Sequence, residues 1–173
     1  MKNLLILDVD GTLVSPIEGD FINSWNNQKL IPGVKTAIEK YKETHFMVLA
    51  SNQGGISEGF KTVEDTVKQL DWVCSELGIR HALFAPDYEE ITPVSRSYYV
   101  AFIPEPVLHI AESPYIKFRK PEPGMILAAK QLAMGLIELE DTLFVGDMES
   151  DRLAAKNAGV KFMWAKDWRK EYE

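Results

Sequence analysis

NLLILDVDGTLV, residues 3–14, begins as an apolar strand and then sets two carboxylates, Asp8 and Asp10, one valine apart. Side chains alternate faces along a strand, so positions two apart point the same way. Asp8 and Asp10 are therefore predicted to share a side, where like charges repel unless a proton or a cation lies between them. Gly11 and Thr12 follow at once, and the chain turns apolar again at Leu13 and Val14. The stretch asks for a metal, or for chemistry that needs a carboxylate held poised at a strand end.

Outward from this segment, short β-forming runs recur at Phe46–Ala50, Ala82–Ala85, Leu143–Val145 and Val160–Trp164, as at Leu4–Val9. Helical spacing fills the intervals. Val34, Ala37, Ile38 and Tyr41 make one stripe, and Val63, Val67, Leu70, Cys74 and Leu77 another, closed by Gly78. Met125, Ile126, Ala129, Leu132 and Ala133 make a third, behind two prolines suited to a first turn, and Leu153, Ala154 and Ala158 a short fourth. Strands alternating with helices predict an α/β, Rossmann-like three-layer sandwich around a mostly parallel sheet. At 173 residues the chain is expected to form one domain, residues 1–173, with no large cap. Residues 15–31 read as a loop or flap, and residues 87–118, which contain the strand-like SYYVAFI, as a small insertion.

Twenty-six acidic against 19 basic residues give a net charge of −7, which argues against a broad phosphate-binding face. The single cysteine, Cys74, excludes a disulfide framework and a Cys-rich zinc site. The N-terminus carries no signal-peptide pattern and no apolar run is long enough to span a bilayer, so the expectation is a cytoplasmic protein without membrane contact.

In open parallel sheets ligands bind outside the carboxyl ends of the strands. DVDGT follows the first strand, SNQGG (51–55) the second and GDMESD (146–151) the fourth, while RKPEPGM (119–125) opens the third helix. Taken singly, each has a plain reading. DVDGT could be a turn, SNQGG a polar loop, KPEPG a helix entry with a solvated lysine, and GDMESD a helix cap favoured by the dipole. The four together place Asp8, Asp10, Ser51, Asn52, Lys120, Asp147 and Asp151 at one end of the sheet.

The order and placement of these motifs resemble the haloacid dehalogenase (HAD) superfamily of phosphotransferases, whose first motif is D-x-D-G-T. S-N-Q and R-K-P-x-P-G-M are similar to the capless branch, subclass IIIA, that holds histidinol phosphatase, heptose bisphosphate phosphatase and polynucleotide 3'-phosphatase domains. The resemblance implies a HAD-like fold and a phosphomonoesterase in which Asp8 is the nucleophile and forms an aspartyl-phosphate. It implies that Asp10 is the general acid and base, and that Lys120 neutralises charge in the transition state. Mg²⁺ would be held by the Asp8 carboxylate, the Asp10 backbone carbonyl, Asp147 and waters, with Asp151 acting directly or through one of those waters, and hard oxygen ligands suit it. Ser51 and the Asn52 backbone amide would bind phosphoryl oxygens, with Arg119 next in line for a second anionic group.

The chain departs from the family pattern in one place. Sugar and histidinol phosphatases of this branch often carry a Cys/His zinc loop before R-K-P, whereas HIAESPYIKFRKP has no cysteine. The expected partner is a small phosphorylated metabolite. The alternative is a nucleic-acid 3'-phosphate end, which a basic groove of Lys61, Arg96, Lys117 and Arg119 would favour. With no large cap, a homo-oligomer contact could complete the site. A non-catalytic phosphate-binding module is the remaining reading, and every catalytic position holds a competent residue.

Overall fold

The structure is a computed structural model describing residues 1–88, 94–102 and 104–170. Nine strands and five helices are seen among them. Seven strands form one sheet in the order β7-β6-β5-β4-β1-β8-β9: β1 (Asn3–Leu7), β4 (His45–Asn52), β5 (His81–Ala85), β6 (Ser95–Phe102), β7 (Pro106–Ser113), β8 (Asp141–Gly146) and β9 (Lys161–Trp164). The five strands from β5 to β9 through β1 are parallel, and β6 and β7 add an antiparallel hairpin at one edge. The remaining pair, β2 (Val14–Ser15) and β3 (Lys29–Leu30), is a small separate ribbon.

Alternation along β1 sends its side chains into two cores. Leu5 and Leu7 join Leu70, Val73, Cys74 and Trp168, whereas Leu4 and Ile6 join Met125, Ile126, Ala129 and Ala154. Helices α1 (Val34–Tyr41), α2 (Val63–Leu77) and α5 (Ala165–Lys170) therefore cover one face, and α3 (Gly124–Met134) and α4 (Glu149–Ala158) the other. A strand buried on both sides reads as an unbroken apolar run, as LLIL does. The three-layer α/β sandwich expected from the sequence is what is found. Cys74 lies in the first core, where burial pushes its thiol far above the ordinary value.

Two helix starts position polar groups near the carboxyl ends of the strands. Thr62 Oγ1 accepts from the Asp65 amide at 3.0 Å while Asp65 Oδ2 accepts from the Thr62 amide at 3.3 Å, a capping box that pins the entry of α2. At α4, Asp151 Oδ2 accepts from the amides of Asp147 (3.1 Å) and Met148 (2.9 Å), folding the loop after β8 back on itself.

The segment 15–31 is the excursion between β2 and β3. Asn27 braces it by accepting from the Glu18 amide (2.9 Å) and donating to the Glu18 carbonyl (2.8 Å). Segment 87–118 contributes β6 and β7, which extend the main sheet; its residues 89–93 and 103 lie outside the described ones. No helix among the described residues is long and apolar enough to cross a membrane.

Candidate active site

Asp8 follows directly on β1, its amide donating to the Val145 carbonyl at 3.0 Å so that the ladder with β8 runs on one step past Leu7. Its carboxylate is buried, and each oxygen accepts a hydrogen bond. Oδ1 accepts from Lys120 Nζ at 2.7 Å and Oδ2 from Thr12 Oγ1 at 2.9 Å. Lys120 Nζ also contacts Asp151 Oδ1 at 2.6 Å and the Ala50 carbonyl at 2.9 Å. An ammonium has three protons, so Lys120 is fully committed and its charge is fixed in place. Burial pushes Asp8 up, to about 8, against the pull of Lys120, and the neighbouring Asp151 and Asp147 push it the same way. Burial pulls the Lys120 ammonium down, but Asp8 and Asp151 outweigh it and hold it above its ordinary value.

Asp8, Asp147 and Asp151 each bring one carboxylate oxygen to within 4.8 Å of the others. Gly11 makes the approach possible. It adopts φ +82°, and a Cβ there would lie 2.2 Å from Asp147 Oδ2. Gly11→Ala is therefore expected to displace Asp147, lowering turnover more than about tenfold while the core is spared. Phosphate release and a melting curve check this; wild-type activity in the variant would remove Asp147 from the site.

Asp10 lies three residues beyond Leu7, the last residue of β1. Its carboxylate is bonded to two amides: Oδ1 accepts from Gln69 Nε2 at 2.7 Å and Oδ2 from Gln53 Nε2 at 2.8 Å. Burial raises the Asp10 pKa, opposed first by Lys61 and then by the two glutamines.

At the end of β4, Ser51 is buried and its Oγ accepts from Gln53 Nε2 at 2.8 Å. The Asn52 side chain has a bracing task that the motif does not announce. It donates to the Lys120 carbonyl (2.9 Å) and accepts from the Lys120 amide (3.0 Å), tying the RKP segment to β4. Arg119 lies with its guanidinium carbon 3.9 Å from the Tyr88 ring centroid, a cation–π contact.

A cavity of about 610 Å³ opens over these groups. Asp10, Asn52, Gln53, Arg119 and Asp147 line it, and Phe21, Phe60 and Met148 stand exposed at its rim. The basic groove does not form as a unit. Arg96 is paired with Asp87 and Glu112, Lys61 is buried beneath the cavity, and the acidic Asp20 and Glu58 share the cavity wall with Arg119.

Comparison with known proteins agrees with this geometry. Residues 3–168 match the family model described as polynucleotide kinase 3 phosphatase. The chain belongs to that family. It is a capless phosphatase of the HAD superfamily, and among curated relatives it is 31% identical over 167 residues to D-glycero-beta-D-manno-heptose-1,7-bisphosphate 7-phosphatase of Pasteurella multocida, covering 93% of this chain and 79% of the relative. Among solved structures, a HAD-like phosphatase from Mesorhizobium loti superposes with a TM-score of 0.66 at 25% identity over 92% of this chain and 69% of its own. D,D-heptose 1,7-bisphosphate phosphatase from B. bronchiseptica, solved with magnesium and phosphate, shares the fold at a TM-score of 0.64 and 23% identity, covering 92% of this chain and 78% of its own.

For this phosphatase the structure brings Asp8, Lys120, Asp147 and Asp151 into direct contact or close approach, and sets Ser51, Asn52, Asp10 and Arg119 around them. Sequence reading did not single out Thr12, Gln53, Gln69 or Tyr88. Thr12 and Gln53 sit inside DVDGT and SNQGG, four and two residues from Asp8 and Ser51. Gln69 carries no such signal.

Proposed function

We propose that this phosphatase hydrolyses a small phosphorylated metabolite, a sugar phosphate by analogy with its curated relatives, through an aspartyl-phosphate on Asp8. The observation that supports this most is the buried Asp8 carboxylate, held by Lys120 and Thr12 and gathered with Asp147, which lines the same cavity as Asp10. The Asp8 oxygen attacks phosphorus as the ester oxygen departs, and Asp10 gives that oxygen its proton. Asp10 then accepts a proton from the water that attacks the aspartyl-phosphate, releasing phosphate and restoring Asp8. The Ser51 hydroxyl and the Asn52 backbone amide hold phosphoryl oxygens, and Lys120 supplies a fixed positive charge beside them.

A divalent cation fits the chemistry of the donors. Asp8, Asp147 and Asp151 offer only hard oxygens within 4.8 Å of one another, and Cys74 is remote in the core. Asp8, Asp147 and the Asp10 carbonyl would hold Mg²⁺. Asp151 has one oxygen on Lys120 and the other on two backbone amides, so it would act from behind. Bound there, the ion would neutralise the clustered carboxylates and the incoming phosphate.

The test is phosphate release with and without Mg²⁺ from heptose 1,7-bisphosphate, other sugar phosphates, nucleoside monophosphates and a 3'-phosphorylated oligonucleotide. Magnesium-dependent release from a sugar phosphate with an untouched oligonucleotide is expected. The reverse pattern would overturn the metabolite reading, which the acidic Asp20 and Glu58 at the cavity favour over a polyanion.

A further inference from the structure

Lys61 lies in the loop before α2, outside every motif, and is buried, with only 8% of its surface exposed. Its ammonium donates to Gln53 Oε1 (2.8 Å), Gln69 Oε1 (2.5 Å) and the Ile22 carbonyl (3.3 Å). The other ends of those two amides are the groups that hold Asp10. An ammonium can only donate and a carboxylate can only accept, so each amide has one permitted orientation: oxygen to Lys61, nitrogen to Asp10. Gln53 spends its second N–H on Ser51 Oγ, which turns the Ser51 hydroxyl proton away from Gln53 and leaves it to donate elsewhere.

We infer that Lys61 is a positioning residue: through Gln53 and Gln69 it fixes the direction of the Asp10 carboxylate and of the Ser51 hydroxyl. The inference rests on the reading of Asp10 as general acid and base. Without the ammonium, either amide can rotate its oxygen toward Asp10, and the carboxylate swings off the line to the leaving oxygen. The capping box at Thr62 and Asp65, with Gln69 two turns into the same helix, keeps Lys61 and Gln69 in register, so the device belongs to the start of α2.

The experiment compares Lys61→Met, Gln69→Leu and Asp10→Asn with wild type. One substrate is the sugar phosphate that the wild type hydrolyses fastest, whose alkoxide must be protonated to leave. The other is p-nitrophenyl phosphate, whose phenolate leaves without a proton. For Lys61→Met, kcat on the alkyl ester is expected to fall more than about tenfold with KM within about twofold, because general acid catalysis contributes about 10²–10⁴. Single-turnover release of p-nitrophenolate should fall several-fold less than kcat on the alkyl ester, the same imbalance expected of Asp10→Asn. A lesion that merely loosened the fold would slow both substrates alike, and Gln69→Leu decides the matter if Lys61→Met melts below the assay temperature. If Asp10→Asn distinguishes the two esters and neither Lys61→Met nor Gln69→Leu does, the inference fails and the acid–base reading stands. If Asp10→Asn itself fails to distinguish them, that reading falls and the inference with it.

Discussion

Asp8→Asn is expected to lower kcat by more than about 10³-fold and, in metal-free buffer, to raise the melting temperature by several degrees. The amide keeps the shape of the carboxylate. Its oxygen still accepts from Lys120, and its nitrogen can donate to Thr12 Oγ1, a hydroxyl that accepts as readily as it donates. The substitution removes one of three carboxylates gathered around a single ammonium. The gain depends on pH. The unfolded chain releases the Asp8 proton near 3.8, the folded chain only near 8, so the folded wild type binds more protons in between and loses stability as pH rises through that window. The difference in melting temperature between variant and wild type should therefore widen from pH 5 to about pH 8. Calorimetry in EDTA and phosphate release with Mg²⁺ measure the two halves. Activity within about tenfold of wild type would remove Asp8 as nucleophile.

Lys120→Met should do the opposite to stability while also abolishing turnover. The lysine is buried among Asp8, Asp151 and the Ala50 carbonyl, and methionine fills the stem but leaves two buried carboxylates facing each other. Removing one partner of a buried ion pair costs about 3–5 kcal/mol. For a chain of this size that is a fall in melting temperature of about 6–20 °C. The exposed pair of Lys2 and Glu140 supplies the contrast, since Lys2→Met should leave the melting temperature unchanged. Adding Asp8→Asn to Lys120→Met should recover much of the loss, because residues in one charge network do not act independently. A double variant no more stable than Lys120→Met would show that the ion pair is not what the lysine contributes.

These residues were legible in the sequence because strand ends are. LLIL followed by DVDGT announces both a strand buried on two faces and what it delivers, and β4, β8 and the entry of α3 repeat the signal. What the sequence hid has particular causes. Gln69 sits inside a helix whose apolar stripe was read through Val67 and Leu70, yet the buried face of α2 includes Thr66 and Gln69. A polar side chain on the core side of a helix is visible only once its partners are known. Lys61 looked like a groove cation because lysine is nearly always solvated; three acceptors converging from Ile22, Gln53 and Gln69 make its burial possible. The hydrogen-bond partners of Asp10 were equally hidden, because Gln53 and Gln69 reach it from a loop and a helix distant in sequence. β7 escaped notice because nearly every residue in it is exposed, so no alternation of burial marks it.

The register of β1 with β4 and β8 aligns Leu7 with Leu49 and Val145, so Asp8, Ser51 and Asp147 lie within two residues of a shared rung at the carboxyl ends of the strands. The chemistry thus inherits the stiffness of the parallel ladder, and Asn52 extends that stiffness to the RKP segment. Phe21, Phe60 and Tyr88, by contrast, stand on connections that the ladder does not hold. The exposed aromatics at the cavity are therefore mounted separately from the carboxylates gathered around Lys120. Substitutions at the rim, one aromatic at a time, can change the cavity while the ladder-held residues are left as they are.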